Sequence, residues 1–372
     1  MARRGFRVID SDMHVMEPPD LWQRYVDPRF RERAPRGSAT GPLDLGLYGP
    51  DGEPWGRFAA TAGRRGEAQR PIEQRYRSQH ERGWTAQVQL EAMDTEGIDV
   101  AVLYPSRGLF ALSRPDLDPE LAAALARAYN DWLHEFCQRD PARLLGAAML
   151  SPFRVEDAIA EARRCVAELG FRAVFLRPNV VGGRNWHDAA FDPLWSALEE
   201  LGVPLGFHEG SGTRLRQVGD QFGDASWLRH AVCHPLEMML AATSFCGGGT
   251  LARHPKLRVA FLEGNCGWVP FLLWRLDEHW EHFRALYGDP QPEPPSRYFE
   301  RQCFVSVEAD ELPVRHVIAD IGDRQLVFST DYPHFDSKFP RAIDAFLEMP
   351  LSDDARRRIL WDNCAGFYGL KV

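Results

Sequence analysis

The chain has no CxxC pair, no apolar run long enough to cross a bilayer and no surplus of positive charge. Its seven cysteines, Cys137, Cys165, Cys233, Cys246, Cys266, Cys303 and Cys364, are odd in number and widely spaced, which argues against a disulfide framework or a zinc-thiolate motif. They are expected to be reduced, mostly buried thiols. A formal net charge of -9 counts against a nucleic-acid partner, because phosphate binding needs a concentrated basic face. The missing apolar span counts against a membrane partner. The start MARRGFRVID carries no apolar signal core, so the expected location is the cytoplasm. Gly247 to Gly249 lack the lysine of a phosphate-binding loop and are expected to form a turn.

What is present is an ordinary globular composition, 44% hydrophobic and 26% charged over 372 residues, enough for one large domain spanning 1-372. Short β-branched or apolar runs alternate with amphipathic stretches. The runs are 6–9, 99–104, 144–150, 173–176, 203–207, 257–262, 304–307 and 326–329. Helical spacing fills 118–138, 155–169, 193–201 and 268–286 between them. Gly202 after "ALEEL" is placed to close a helix in the left-handed conformation before the next strand. Alternation of this kind is the signature of parallel βαβ construction, and eight strands close a (β/α)8 TIM barrel of the α/β class. The Gly-, Pro- and Arg-rich stretch from about 31 to 82 has little apolar periodicity and is expected to be a long insertion after the first strand.

In such a barrel the functional groups gather where the strands end at their C-terminal rim. The first strand runs into "VIDSDMH", which puts Asp12 and His14 two residues apart, on one side of an extended chain. The fifth ends in His208 within "GFHEG", and the eighth is followed by Asp331 within "FSTDYPH". Two imidazoles and two carboxylates facing one mouth suit a single divalent metal. Zinc is the first expectation, with manganese or iron as alternatives. Glu263, in "FLEGN" after the sixth strand, is open between a fifth ligand, a ligand to a second metal, a general acid or base, and a carboxylate that orients a neighbour. Arg177 and Asn179 in "FLRPN" are candidates for a substrate carboxylate, or else a rim ion pair. His234, Trp268 and His334 are further candidates for lining the substrate site, with Asp336 near the entrance. The pairs His234-Pro235 and His254-Pro255 are expected at turns or helix starts.

These pieces, together with "DSDMHVMEP", "FDPLWSALEELGVPLGFHEG", "LARHPKLRVAFLEGNCGW" and "FSTDYPH", resemble the amidohydrolase superfamily over nearly the whole chain. The resemblance is to the branch that includes aminocarboxymuconate-semialdehyde decarboxylase and the resorcylate decarboxylases. It implies a mononuclear metal held by Asp12, His14, His208 and Asp331, and a homodimer. Members of that branch usually carry a histidine at the end of the sixth strand that assists proton transfer, where this chain has Glu263.

Because of that departure, the leading expectation is a metal-dependent hydrolase of a small carbonyl substrate, cleaving an amide, ester, thioester or carbon-carbon bond. Asp331 serves as ligand and base, and Glu263 orients water or donates a proton. The alternative is a non-oxidative decarboxylase of a small aromatic or unsaturated acid, in which Asp331 protonates carbon. A catalytically silent, ligand-binding barrel is the third reading, and it makes the metal dispensable.

Overall fold

The computed structural model describes residues 3–39, 41–56, 70–223, 227–288 and 291–371. Its eight principal strands are β1 (Ile9–Val15), β2 (Val100–Pro105), β3 (Leu144–Met149), β4 (Ala173–Leu176), β5 (Leu205–His208), β6 (Val259–Leu262), β7 (Cys303–Val307) and β8 (Leu326–Phe328). They form one sheet in chain order, each parallel to the next. Side-chain and backbone bonds link the two ends of this order. The His14 N–H donates to Tyr332 O at 2.7 Å, Ser11 Oγ to Phe328 O at 2.6 Å, and Ser329 Oγ to Asp12 O at 3.2 Å. The result is the expected (β/α)8 barrel.

Strands such as AVFL in β4 and VAFL in β6 are buried at every position, as a sheet covered on the outside by helices and filled on the inside requires. The covering helices follow their local signals. Asp118 accepts from the Glu120 N–H and Pro119 opens the helix Pro119–Cys137. The helix Asp192–Leu201 closes on Gly202 at φ 67. Among the described residues no helix is long and apolar enough to cross a membrane.

Two expectations need correction. β1 begins at Ile9 and not at residue 6, and it runs through Asp12 and His14 to Val15. These polar residues are fully buried inside the strand, so an apolar run could not reveal its extent. His234-Pro235 lies inside the helix Trp227–Ala242, not at a turn, because packing of Cys233, Met238, Ala241 and Ala242 outweighs the proline. The 31–82 stretch lies between β1 and β2 as an insertion with elements of its own. It contains a small antiparallel ladder pairing Arg36 with Tyr48 and a helix Arg70–Glu81, while 57–69 lie outside the described residues. Tyr76 of that helix is buried and stacks on Phe339 at 5.9 Å, and Arg75 Nη1 donates to Ser337 O at 2.9 Å. This part of the stretch therefore packs beside the barrel mouth.

Candidate metal centre

β1 delivers Asp12 and His14, β5 ends in His208, and the turns after β6 and β8 deliver Glu263 and Asp331. Glu263 and Asp331 both hold left-handed backbone, φ 48 and φ 53, which costs a non-glycine residue about 1–3 kcal/mol. The strain turns both carboxylates inward. Each imidazole is fixed from behind. His14 Nδ1 donates to Pro105 O at 2.8 Å and His208 Nδ1 to Glu209 O at 2.7 Å. A carbonyl only accepts, so in the neutral rings both Nε2 atoms present lone pairs, and these lie 3.0 Å apart.

The carboxylates close on the same point. Asp331 Oδ1 is 3.3 Å from His14 Nε2, and Glu263 Oε2 is 2.9 Å from His208 Nε2. His14, His208, Glu263 and Asp331 each offer one donor atom, all within 4.8 Å of one another. Asp12 flanks them, 3.6 Å from His14 Nε2 and 3.3 Å from His208 Nε2. Among the described residues, both Asp12 oxygens, Glu263 Oε2 and Asp331 Oδ1 are buried without a well-aligned hydrogen bond. Donors that crowd together yet point past one another are what a shared cation requires, and burying so many of them without one is costly.

The local electrostatics favour positive charge at that point. Burial alone would lower His208, but Asp12 and Glu263 raise it to about 10. Burial pushes Glu263 up, yet His234 and His208 hold it well below the carboxylate range. Asp331 is raised by burial and by Glu263, and the imidazoles of His334 and His14 bring it below its ordinary value. His334 makes an ion-pair contact with it, Nδ1 to Oδ1 at 2.7 Å, and its Nε2 lies 3.2 Å from Ser106 Oγ. Burial opposes the charged form of His334, and Asp331 nevertheless raises it to about 9.

Beyond these groups opens a cavity of about 180 Å³, lined by His230, His234, Glu263, Glu308, Asp331 and Asp336 among others. His234 reaches it. Trp268 is not among the lining residues; its Nε1 donates to Gly264 O at 3.0 Å and its ring packs edge-on against Phe261. Arg177 and Asn179 sit behind His208. Arg177 pairs with Glu209 and also donates to Leu109 O at 2.7 Å, Asn179 Oδ1 at 3.0 Å and Gly210 O at 2.9 Å. Asn179 Nδ2 donates to Glu209 Oε2 at 2.7 Å. These bonds hold the residue whose carbonyl orients His208. His230 and Glu308 line the cavity and are not among the sequence candidates, although Glu308 directly follows a strand end and His230 stands four residues before His234.

Glu237 lies near the Arg177 group, with its carboxylate accepting from the Val218 N–H at 2.6 Å. Burial, with nearby Glu209, raises it from 4.5 to about 7. A raised folded value means that its contribution to stability is complete at low pH and is lost as pH rises through about 7. Glu237→Gln keeps the acceptor and removes the charge. Its urea unfolding midpoint is expected to fall less than the wild type's between about pH 5 and about pH 8. Equal declines would contradict this account of Glu237.

The sequence model of the amidohydrolase family matches residues 9–370. The chain is 27% identical over 294 residues to a 2-amino-3-carboxymuconate-6-semialdehyde decarboxylase of Dictyostelium discoideum, covering 77% of each chain. It is 29% identical over 303 residues to a gamma-resorcylate decarboxylase of Rhodococcus jostii, covering 76% of this chain and 87% of that one. A dihydroxybenzoic acid decarboxylase from Polaromonas sp. JS666, solved with bound manganese and the inhibitor 2-nitroresorcinol, has a similar structure. The TM-score is 0.70 at 20% identity over 98% of this chain and 97% of that one, a likeness of fold.

Proposed function

The chain belongs to the amidohydrolase family, and from that premise we propose that it is a metal-dependent decarboxylase of small aromatic or unsaturated carboxylic acids. The observation that carries this reading is the convergence of His14, His208, Glu263 and Asp331 on one buried point, with His334 paired to Asp331. The two relatives described above are decarboxylases, which supports this reading over hydrolysis.

His14, His208, Asp331 and Glu263, with Asp12 beside them, are the residues that would hold the cation. Three carboxylates and two imidazoles make an oxygen-rich set, which favours manganese over the zinc first expected from sequence. The manganese of the Polaromonas enzyme points the same way. When bound, the cation polarises substrate oxygens as a Lewis acid and draws electron density from the breaking bond.

The remaining work falls to side chains. Asp331 carries a proton to the carbon that loses its carboxylate. The carbon-carbon bond breaks, its electron pair takes that proton, and carbon dioxide leaves. The protonated ring of His334 replaces the proton on Asp331, and solvent restores it. Arg177 and Asn179 act as positioning residues through Glu209 and His208. Glu263 supports a second reading. As a carboxylate beside the cation it is suited to hold an attacking water, which is what hydrolysis needs. Carbon dioxide release from a panel of hydroxylated benzoates and unsaturated acids tests the first reading, and release of an amine, alcohol or thiol without it supports the second.

The working form on this reading is a homodimer that takes a small molecule and neither nucleic acid nor membrane. Leu240, Phe283 and Tyr287 are 55%, 41% and 83% exposed and line one surface groove between the helices Trp227–Ala242 and Val269–Tyr287. Light scattering on the purified chain is expected to give twice the chain mass, and a monomer contradicts it.

A further inference from the structure

The helix Trp227–Ala242 brings two histidines, His230 and His234, to the cavity beside the first site. They are spaced i and i+4, so they share one helix face, and their ring centroids lie 4.5 Å apart. Such a pair is a common way for a helix to grip a divalent cation. Glu263 faces both groups of ligands. Its Oε2 lies 2.9 Å from His208 Nε2, and its Oε1 lies 3.1 Å from His234 Nδ1. One donor atom from each of His230, His234 and Glu263 falls within 4.8 Å of the other two.

We propose that His230, His234 and Glu263 hold a second divalent cation, with Glu263 bridging it to the first. Three further observations support the assignment. His234 is 6% exposed, and its Nε2 has no hydrogen-bond partner among the described residues. The cavity lining includes Glu263, Glu308, Asp310, Asp331 and Asp336; besides the two histidines its one basic chain among the described residues is Lys338, which already pairs with Asp310 at 2.8 Å. Acidic groups crowded on that scale are a setting that a second cation relieves. Gly264 also permits the approach, since a Cβ there would come within 2.7 Å of Met238 Cγ on the helix that carries His234. Two cations sharing a carboxylate leave open positions for substrate oxygens, the arrangement of two-metal sites with ions about 3.5–4 Å apart. The second site does not depend on whether the reaction is decarboxylation or hydrolysis.

The test is metal content and spin coupling in the full chain loaded with Mn²⁺ and freed of excess ion. The wild type is expected to bind two manganese ions per chain and to give the multi-line electron paramagnetic resonance spectrum of a coupled pair. His230→Gln and His234→Gln are each expected to bind one ion, with the spectrum of an isolated Mn²⁺. A wild type that saturates at one ion overturns the proposal, as does a pair of variants that keep two. If the variants do not fold, anomalous scattering from wild-type crystals at the manganese edge decides. A second peak beside His230, His234 and Glu263 supports the site, and a single peak at His14 and His208 overturns it.

Discussion

Asp331→Asn lowers the rate of carbon dioxide release at saturating substrate by about 10³-fold, within the range that a positioned general acid supplies. Asparagine nearly matches the shape of aspartate but delivers no proton and carries no charge for the His334 imidazolium, whose Nδ1 lies 2.7 Å from Oδ1. Asp331 is also placed as a ligand, so metal content must be measured on the same sample. The informative comparison is with His334→Gln, which leaves Asp331 in place but removes the ring that recharges it. That variant is expected to lose about 10–100-fold, the usual cost of removing a group that supports a metal ligand. Steady-state rates of both variants at matched manganese content check the ordering. An Asp331→Asn rate within about tenfold of the wild type's, with metal retained, would show that another group carries the proton.

Removing the metal with a chelator is expected to abolish turnover and to lower the unfolding midpoint together, with added Mn²⁺ restoring both. The structural reason is the set of buried donors with no aligned partner among the described residues, Asp12 Oδ1 and Oδ2, Glu263 Oε2 and Asp331 Oδ1. The two Nε2 atoms 3.0 Å apart add to the crowding. A cation held at about 1,000 times its dissociation constant contributes about 4 kcal/mol to the folded state. Acid weakens the effect, because imidazoles and carboxylates bind metal only when deprotonated. Thermal melts with and without chelator, paired with rates, check the prediction. Unchanged melting and unchanged ligand binding in the stripped protein would favour the silent barrel over either enzyme.

Several of these features can be read from the sequence because they sit at strand ends. "DSDMH", "GFHEG" and "FSTDYPH" put polar residues directly against apolar runs, and the barrel carries all three to one mouth. The extent of β1 is not readable in the same way, since Asp10, Ser11, Asp12 and His14 are buried polar residues that break the apolar pattern, the first two bonded to the end of the eighth strand and the last two facing the site. His230 escapes notice for a related reason. Its i, i+4 relation to His234 has meaning only on a helix, and Pro235 makes the segment look like a turn. The roles of Arg177 and Asn179 depend on Glu209 of the neighbouring strand end, a contact made by the β4–β5 pairing and not by proximity in sequence. Glu263 stands out only against the histidine that the resembling branch carries at that place. Its two-sided contact with His208 and His234 emerges only once the helix packs over β6.

The central claim is that the Asp331 site expels carbon dioxide and replaces it with a proton. The most direct measurement incubates the manganese-loaded chain with the acid panel in deuterated, ¹⁸O-enriched water and identifies the products by mass spectrometry. Carbon dioxide is expected, with an organic product that carries one deuterium on the carbon that bore the carboxylate and no ¹⁸O. An organic product that gains ¹⁸O, formed without carbon dioxide, would contradict the claim and assign the site to hydrolysis.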